Sequence, residues 1–143
     1  MAATSKNYTV KTSDVYSAGH DTDLATVLSN IDDKLTPHIV TIDTATPSTI
    51  TLADNTIYNA PAATELTSIE IALAATPYPV DMGAQLNFSS GATATAFTAP
   101  APGILWYGDD LVSDVFVPQA NVRYNILFYS DGAGTIRAIV QGV

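Results

Sequence analysis

Residues 121–143, NVRYNILFYSDGAGTIRAIVQGV, carry the clearest folding signal in this chain of 143 residues. Apolar and polar residues alternate on both sides of the segment DGAG, and a period of two is typical of a β-strand with one buried face. Glycine and aspartate tolerate the backbone angles of a tight turn, so the segment predicts a hairpin. Two sets of side chains are predicted to face each other across its strands: Val122, Tyr124, Ile126 and Phe128, and Ile136, Ala138 and Val140.

The opposite face of the first of these strands is also apolar, at Leu127 and Tyr129. A strand that is apolar on both faces is usually covered on both sides. It is then either a central strand or part of a contact between subunits, and the sequence leaves both alternatives open.

Shorter segments with the same alternation run from residue 38 to the hairpin. Turn-prone sequences such as ADN, SSG, PAPG, GDD and PQAN separate them. The predicted strands lie in HIVTID, TITL, LTSIEIALA, AQLNFSS, TATAFTA, GILWYG and DVFVP. Many short strands at this spacing predict a mainly β fold, an antiparallel β-sandwich or jelly roll, in one domain over residues 38–143.

One segment predicts a helix, DTDLATVLSNIDDKLTP at residues 21–37. Asp21 or Thr22 can cap its first turn, and Pro37 ends it because the residue before a proline avoids helical geometry. Apolar side chains recur at intervals of three and four residues, which places them along one face of the helix. This stripe consists of Leu24, Val27, Leu28, Ile31 and Leu35.

The apolar stripe needs a partner, because an isolated helix of about fifteen residues is marginal in water. It either packs on the β core of its own chain or joins copies of the chain around a symmetry axis, since its spacing also fits a coiled-coil seam. We expect the second arrangement. The five stripe residues then form an oligomer interface, and folding depends on assembly.

Residues 1–20 are rich in Ser, Thr, Ala and Asn, with isolated apolar side chains at Tyr8, Val10, Val15 and Tyr16. Such a composition cannot build its own core but can lie extended along another surface. We therefore expect an extended N-terminal arm before the helix.

The charge balance argues against two classes of partner. The chain has 14 acidic and 5 basic residues, a formal net charge of −9, and its basic residues are scattered. Nucleic acids and anionic membranes both need concentrated positive charge, so we expect binding to neither. The absence of cysteine removes disulfides and thiolate metal ligands. No secretory signal is evident, so we expect synthesis in a cytoplasm.

The residues that could carry catalysis form no known arrangement. His20 and His38 have no partner at metal-ligand spacing, and a G-x-S-x-G signature is missing. Asp109, Asp110 and Asp114 in GDDLVSD would suit a calcium site or a carboxylate pair, although Gly-Asp-Asp is also ordinary turn chemistry. We expect no catalytic residue, no metal and no cofactor.

Three aromatic residues suggest a second class of function, glycan binding. Trp106, Tyr107 and Tyr129, with Asp109 or Asn125 nearby, are of the types that stack on sugar rings and bind their hydroxyl groups. They form a possible ligand platform. Trp106 lies within the strand-like run GILWYG, so filling the core or an interface is the alternative for that ring.

Three motifs in the last part of the chain resemble a carboxy-terminal β domain that recurs in structural proteins of tailed bacteriophages and prophages. They are F-x-SGAT-x-T at Phe88–Thr95, W-x-GDD at Trp106–Asp110 and R-Y-x-I-x-F-Y-x-DG at Arg123–Gly132. The resemblance covers roughly the last third to half of the chain. The segment SDVYSAGHDTDLATVLSNIDDKL is similar, more loosely, to the start of phage head-fibre and capsid-decoration proteins.

The resemblance implies a virion component that is not an enzyme. It implies a homo-oligomer, expected to be a trimer, whose arm contacts the phage capsid or another virion protein. The alternative is a glycan- or receptor-binding β module of a phage tail or fibre.

Overall fold

The computed structural model describes residues 27–28, 36–73, 83–100, 103–130 and 135–143. The chain divides into two units, Met1–Thr36 and Pro37–Val143. In the first unit, Val27 and Leu28 are helical and more than half exposed. The predicted arm and the rest of the predicted helix lie outside the described residues, so both stay predictions.

The second unit is mainly β, as predicted. A seven-stranded sheet, the larger sheet, contains β1 (His38–Thr41), β3 (Thr56–Asn59), β4 (Glu65–Leu66), β6 (Gly83–Ser90), β8 (Ile104–Gly108), β11 (Arg123–Ser130) and β12 (Ile136–Gly142). The smaller sheet contains β2 (Ile50–Thr51), β5 (Ser68–Ala72) and β7 (Ala96–Thr98). A separate hairpin is formed by β9 (Leu111–Val112) and β10 (Val115–Phe116).

The sheets are mixed, so the predicted antiparallel sandwich or jelly roll was wrong in strand direction. The order in the larger sheet is β1-β3-β6-β11-β12-β8, with β4 also beside β6. Strands β1, β3 and β6 are parallel, and so are β2, β5 and β7. As far as β7 the chain passes back and forth between the two sheets. Neighbours within a sheet therefore come from successive turns of a coil and run in the same direction.

The predicted hairpin at the end of the chain is confirmed by the β11–β12 register. The strands pair antiparallel, with Ile126 opposite Val140 and Phe128 opposite Ala138. These four side chains are buried. Strand β11 is also central, between β6 and β12, yet its outward-facing Leu127 is 46% exposed.

One aromatic cluster joins the larger sheet, the smaller sheet and the hairpin. Phe97 of β7 lies with its ring centroid 6.3 Å from that of Phe88 on β6 and 5.7 Å from that of Trp106 on β8. Phe116 of β10 lies 5.1 Å from Phe97 and 5.0 Å from Tyr124. The smaller sheet and the hairpin are thus both held against the inner face of the larger sheet.

Candidate functional surfaces

The W-x-GDD motif connects the end of β8 to β12, the last strand of the chain. Gly108 has a φ of 110°, and a Cβ atom at this position would collide with the carbonyl oxygen of Val140. The next amide, of Asp109, donates to the same oxygen at 3.1 Å. The Asp109 carboxylate accepts a hydrogen bond from the Gly142 amide at 3.0 Å. The close approach of β12 requires glycine at position 108, and Asp109 adds a hydrogen bond to the same strand.

The second aspartate of this motif binds the R-Y-x-I-x-F-Y motif. The hydroxyl of the fully buried Tyr124 donates to the Asp110 carboxylate at 2.5 Å and accepts from the Gln119 amide at 2.8 Å. Burial is the main cause that raises the pKa of Tyr124 to about 12, and the hydrogen bond to Asp110 acts in the same direction. The carboxylate of Asp110 is thereby used to hold β11.

The F-x-SGAT-x-T motif forms a third internal connection. The Thr95 hydroxyl donates to the carbonyl oxygen of Leu66 at 2.7 Å and lies 2.8 Å from the buried Ser90 hydroxyl. The carbonyl oxygen of Gly91 accepts from the Asn121 amide at 2.8 Å. Each of the three motifs therefore contributes hydrogen bonds that connect strands and loops of this chain.

The three aspartates of GDDLVSD do not converge on a metal site. Asp109 and Asp110 bind Gly142 and Tyr124, while Asp114 lies exposed in the turn between β9 and β10. Among the described residues, no group of three or more His, Asp or Glu side chains is arranged to hold a metal ion. His38 lies on the exposed edge strand β1, and His20 lies outside the described residues.

The predicted ligand platform of three rings is not formed. Trp106 is only 8% exposed and packs in the aromatic cluster, 6.0 Å from Phe128. Tyr107 and Tyr129 are on the opposite face of the larger sheet, because successive residues of a strand point to opposite sides. The alternative for Trp106, a core residue, agrees with its burial.

A cleft of about 270 Å³ lies beside Trp106, between β7, β8 and β10. Phe97, Ile104 and Phe116 contribute apolar walls, and Asp114 contributes a carboxylate. The cleft is a depression at the border of the core, and Trp106 is one of its lining residues.

The outer face of the larger sheet carries a row of mostly apolar side chains, the apolar row. The strand registers place six residues side by side across six strands: Ile39, Ile57, Gln85, Leu127, Ile139 and Tyr107. Ile39, Leu127, Ile139 and Tyr107 are 44 to 68% exposed. Five of the six side chains are apolar or aromatic, so the row forms a broad apolar surface at a position where a solvated strand would carry polar residues.

A second row of side chains, the amide row, lies beside the apolar row. It consists of Asn59, Asn87, Asn125 and Gln141. Gln85 of the apolar row donates to the side-chain oxygens of Asn87 at 3.0 Å and Asn125 at 3.2 Å. These hydrogen bonds hold the amide groups in a fixed arrangement across the middle strands.

The outer face also differs in charge from the rest of this acidic chain. It carries both arginines of the described residues, Arg123 and Arg137, and Arg137 donates to the Tyr107 hydroxyl at 3.1 Å. Outward positions of the described strands β1, β3, β6, β8, β11 and β12 carry no carboxylate. Glu65 on β4 stands at the margin, opposite Ser89. Sequence reasoning missed this face because its residues are up to a hundred positions apart.

Comparison with known proteins finds no matching family model, no similar curated protein and no similar solved structure. Within the described part of the chain, no helix is both long and apolar enough to span a bilayer. The function therefore has to be inferred from the surfaces of this chain.

Proposed function

We propose that the chain is a non-enzymatic structural protein of a tailed-phage virion, a capsid-decorating or head-fibre subunit. Its two facing sheets form a sandwich-like body that projects outward. Residues 1–20 dock on the capsid or another virion protein, and the helix at residues 21–37 joins copies into an oligomer, expected to be a trimer. The protein is made in the host cytoplasm and ends in the virion.

The apolar row is the observation that carries this proposal. A surface of this breadth, crossing six strands, suits contact with another protein over a large area. The proposed function accordingly lies in contact surfaces. The resemblance of the three motifs to phage structural proteins is the second support, and in this chain each motif supplies internal connections of the β body, such as the Tyr124–Asp110 hydrogen bond.

The role in the virion is tested by incorporation into particles. We expect the full chain to copurify with gradient-purified phage at a fixed copy number, measured by quantitative mass spectrometry. Val10→Asp with Val15→Asp should abolish incorporation, because it places charges on the few apolar side chains of the arm. Thr9→Asp with Ser17→Asp is the matched control and should be incorporated normally. Equal incorporation of both variants would contradict docking by the arm.

The role of the helix is tested by native mass. Leu28→Asp with Ile31→Asp would bury repelling carboxylates in a helical seam, so the oligomer should lose the contact between helices while the β body keeps its circular dichroism. Ser29→Asp with Asn30→Asp adds the same charge outside the stripe and should leave the mass unchanged. If the first variant unfolds the β body as well, packing of the stripe on its own chain is favoured instead.

Glycan or receptor binding is the second candidate, and one observation favours it. Arg137 lies opposite Tyr129 in the β11–β12 register and donates to the hydroxyl of Tyr107. Two rings beside a guanidinium group can stack on a sugar and bind its hydroxyls. Binding on a glycan array that is lost in Tyr107→Ala, with native mass unchanged, would support this function over a purely structural one.

A further inference from the structure

The β9–β10 hairpin exposes apolar side chains next to an acidic turn. Its two-residue turn, Ser113–Asp114, has positive φ at both positions, as the tightest hairpins require. Val112 and Val115 are opposite each other in the register and, like the following Val117, are 40 to 58% exposed. Asp114 lies in the turn, Asp109 and Asp110 directly precede β9, and the segment from residue 108 to 117 contains no basic residue.

The hairpin and the outer face of the larger sheet are complementary in character. Both expose apolar side chains, but the hairpin is acidic while the outer face carries Arg123 and Arg137. Contact between two outer faces would bring arginines together, and contact between two hairpins would bring aspartates together. A hairpin against an outer face instead combines apolar contact with opposite charge.

The hairpin cannot reach the outer face of its own sheet. Phe116, on the other side of the hairpin from Val115, is 2% exposed and packs 5.6 Å from Trp106 on the inner side. The hairpin is therefore fixed on the inner side, next to the β8 edge. Strand β1, which carries Ile39, forms the opposite edge of the sheet. Contact between the hairpin and an outer face therefore requires a second copy of the chain.

We propose that the β9–β10 hairpin of one copy docks on the outer face of the next copy. The contact is heterologous, since different surfaces meet, and its repetition builds a ring if the rotation closes and a filament if it does not. It goes beyond the proposed virion role and is independent of the helical seam. Val112 and Val115 cover Leu127 and Ile139, and Asp114 lies near the arginines.

Complementation between two variants tests this contact. Every chain carries Leu28→Asp and Ile31→Asp, so the helix contributes no association. The face variant adds Leu127→Asp and Ile139→Asp, and the hairpin variant adds Val112→Asp and Val115→Asp. Sedimentation velocity over a concentration series measures association. Thr51→Asp, on an exposed strand position of the smaller sheet, is the control.

The background chain is expected to self-associate, and each variant should raise the dissociation constant at least tenfold. An equimolar mixture should form a heterodimer and nothing larger, because one intact hairpin meets one intact face. A monomeric background chain, variants within twofold of the background, or a mixture without heterodimer would each overturn the proposal. If the aspartate variants lose their near-ultraviolet dichroism, Leu127→Thr with Ile139→Thr replaces the face variant and Val112→Thr with Val115→Thr replaces the hairpin variant. Threonine weakens the apolar contact but suits a strand, and the expected outcomes are the same.

Discussion

The two faces of β11 show how one strand can serve two purposes. Its inward side chains, Tyr124, Ile126 and Phe128, have no exposed surface, whereas Leu127 on the outward side is 46% exposed. The inner face is covered by the smaller sheet and the hairpin of the same chain. The outer face is largely apolar, and no other described strand packs on it. Burial on one face stabilises the fold, and the other face is left for contact with other molecules.

The largest expected effect comes from a truncation on the inner face. Phe128→Ala removes a fully buried ring and leaves a cavity, so we expect a loss of about 3–5 kcal/mol in the free energy of unfolding. Leu127→Ala, one residue away on the outer face, should cost less than about 1 kcal/mol. Urea unfolding followed by tryptophan fluorescence measures both. Similar losses would contradict the division between the faces.

The next effect compares two glycines of the larger sheet, Gly108 at the end of β8 and Gly83 at the start of β6. Gly108→Ala forces a Cβ into the Val140 carbonyl at a positive φ, and we expect a loss of at least about 1–3 kcal/mol. A Cβ atom at position 83 would have no neighbour within 4 Å. Gly83→Ala should therefore leave the free energy of unfolding unchanged or raise it by about 0.4–1 kcal/mol. Thermal unfolding of the two variants compares them directly, and an equal loss at both sites would contradict the need for glycine at Gly108.

Tyr124→Phe should cost about 1–3 kcal/mol, because it leaves the Asp110 carboxylate without its hydroxyl donor. Folding raises the pKa of Tyr124 from 10 to about 12, so the folded state favours the protonated ring. This contribution is fully present below about pH 10 and is lost as the pH rises through about 12.

The pH dependence of stability tests the raised pKa of Tyr124. Unfolding free energies measured between pH 9 and 12 should fall steeply for the wild type and less steeply for Tyr124→Phe. Some dependence remains in that variant, because burial also raises the pKa of Tyr58. An unchanged slope in Tyr124→Phe would contradict the raised pKa of Tyr124 in the folded state.

The smallest effect is expected in the amide row. Asn125→Ala removes one acceptor of Gln85 at an exposed position, and the free energy of unfolding should change by less than about 0.5 kcal/mol. Guanidinium unfolding of Asn125→Ala, compared with that of Leu127→Ala, would measure this change in the free energy of unfolding. A loss above about 2 kcal/mol would mean that the outer face also stabilises the monomer.

The sequence predicted which side chains are buried much better than how the strands are connected. The alternation in residues 121–143 correctly placed Tyr124, Ile126 and Phe128 inward. A period of two reports the buried face but not the direction of a neighbouring strand, so the parallel coil was missed. Strand β3 was missed because its inward positions are Thr56 and Tyr58, whose polar atoms obscure the alternation.

The candidate surfaces were predictable only in part. Tyr107 and Tyr129 do face outward, but Trp106 was grouped with them although it is adjacent to Tyr107 and must point the other way. The apolar row depends on register between strands distant in sequence, such as Ile39 beside Ile57, and local patterns contain no such information. The helical stripe stays a prediction, since most of its residues lie outside the described part.

The coil of parallel strands has a consequence for how the body can vary in size. Equivalent sheet positions recur after unequal intervals, from Ile39 to Ile57 and then from Ile57 to Gln85. Each circuit therefore tolerates insertions in its connections without shifting the register. A scaffold of this kind can be lengthened by whole circuits at the β1 edge, while β11, β12 and the opposite edge strand β8 stay unaltered. The length of the β body can thus change without any change in the antiparallel strands that complete the sheet.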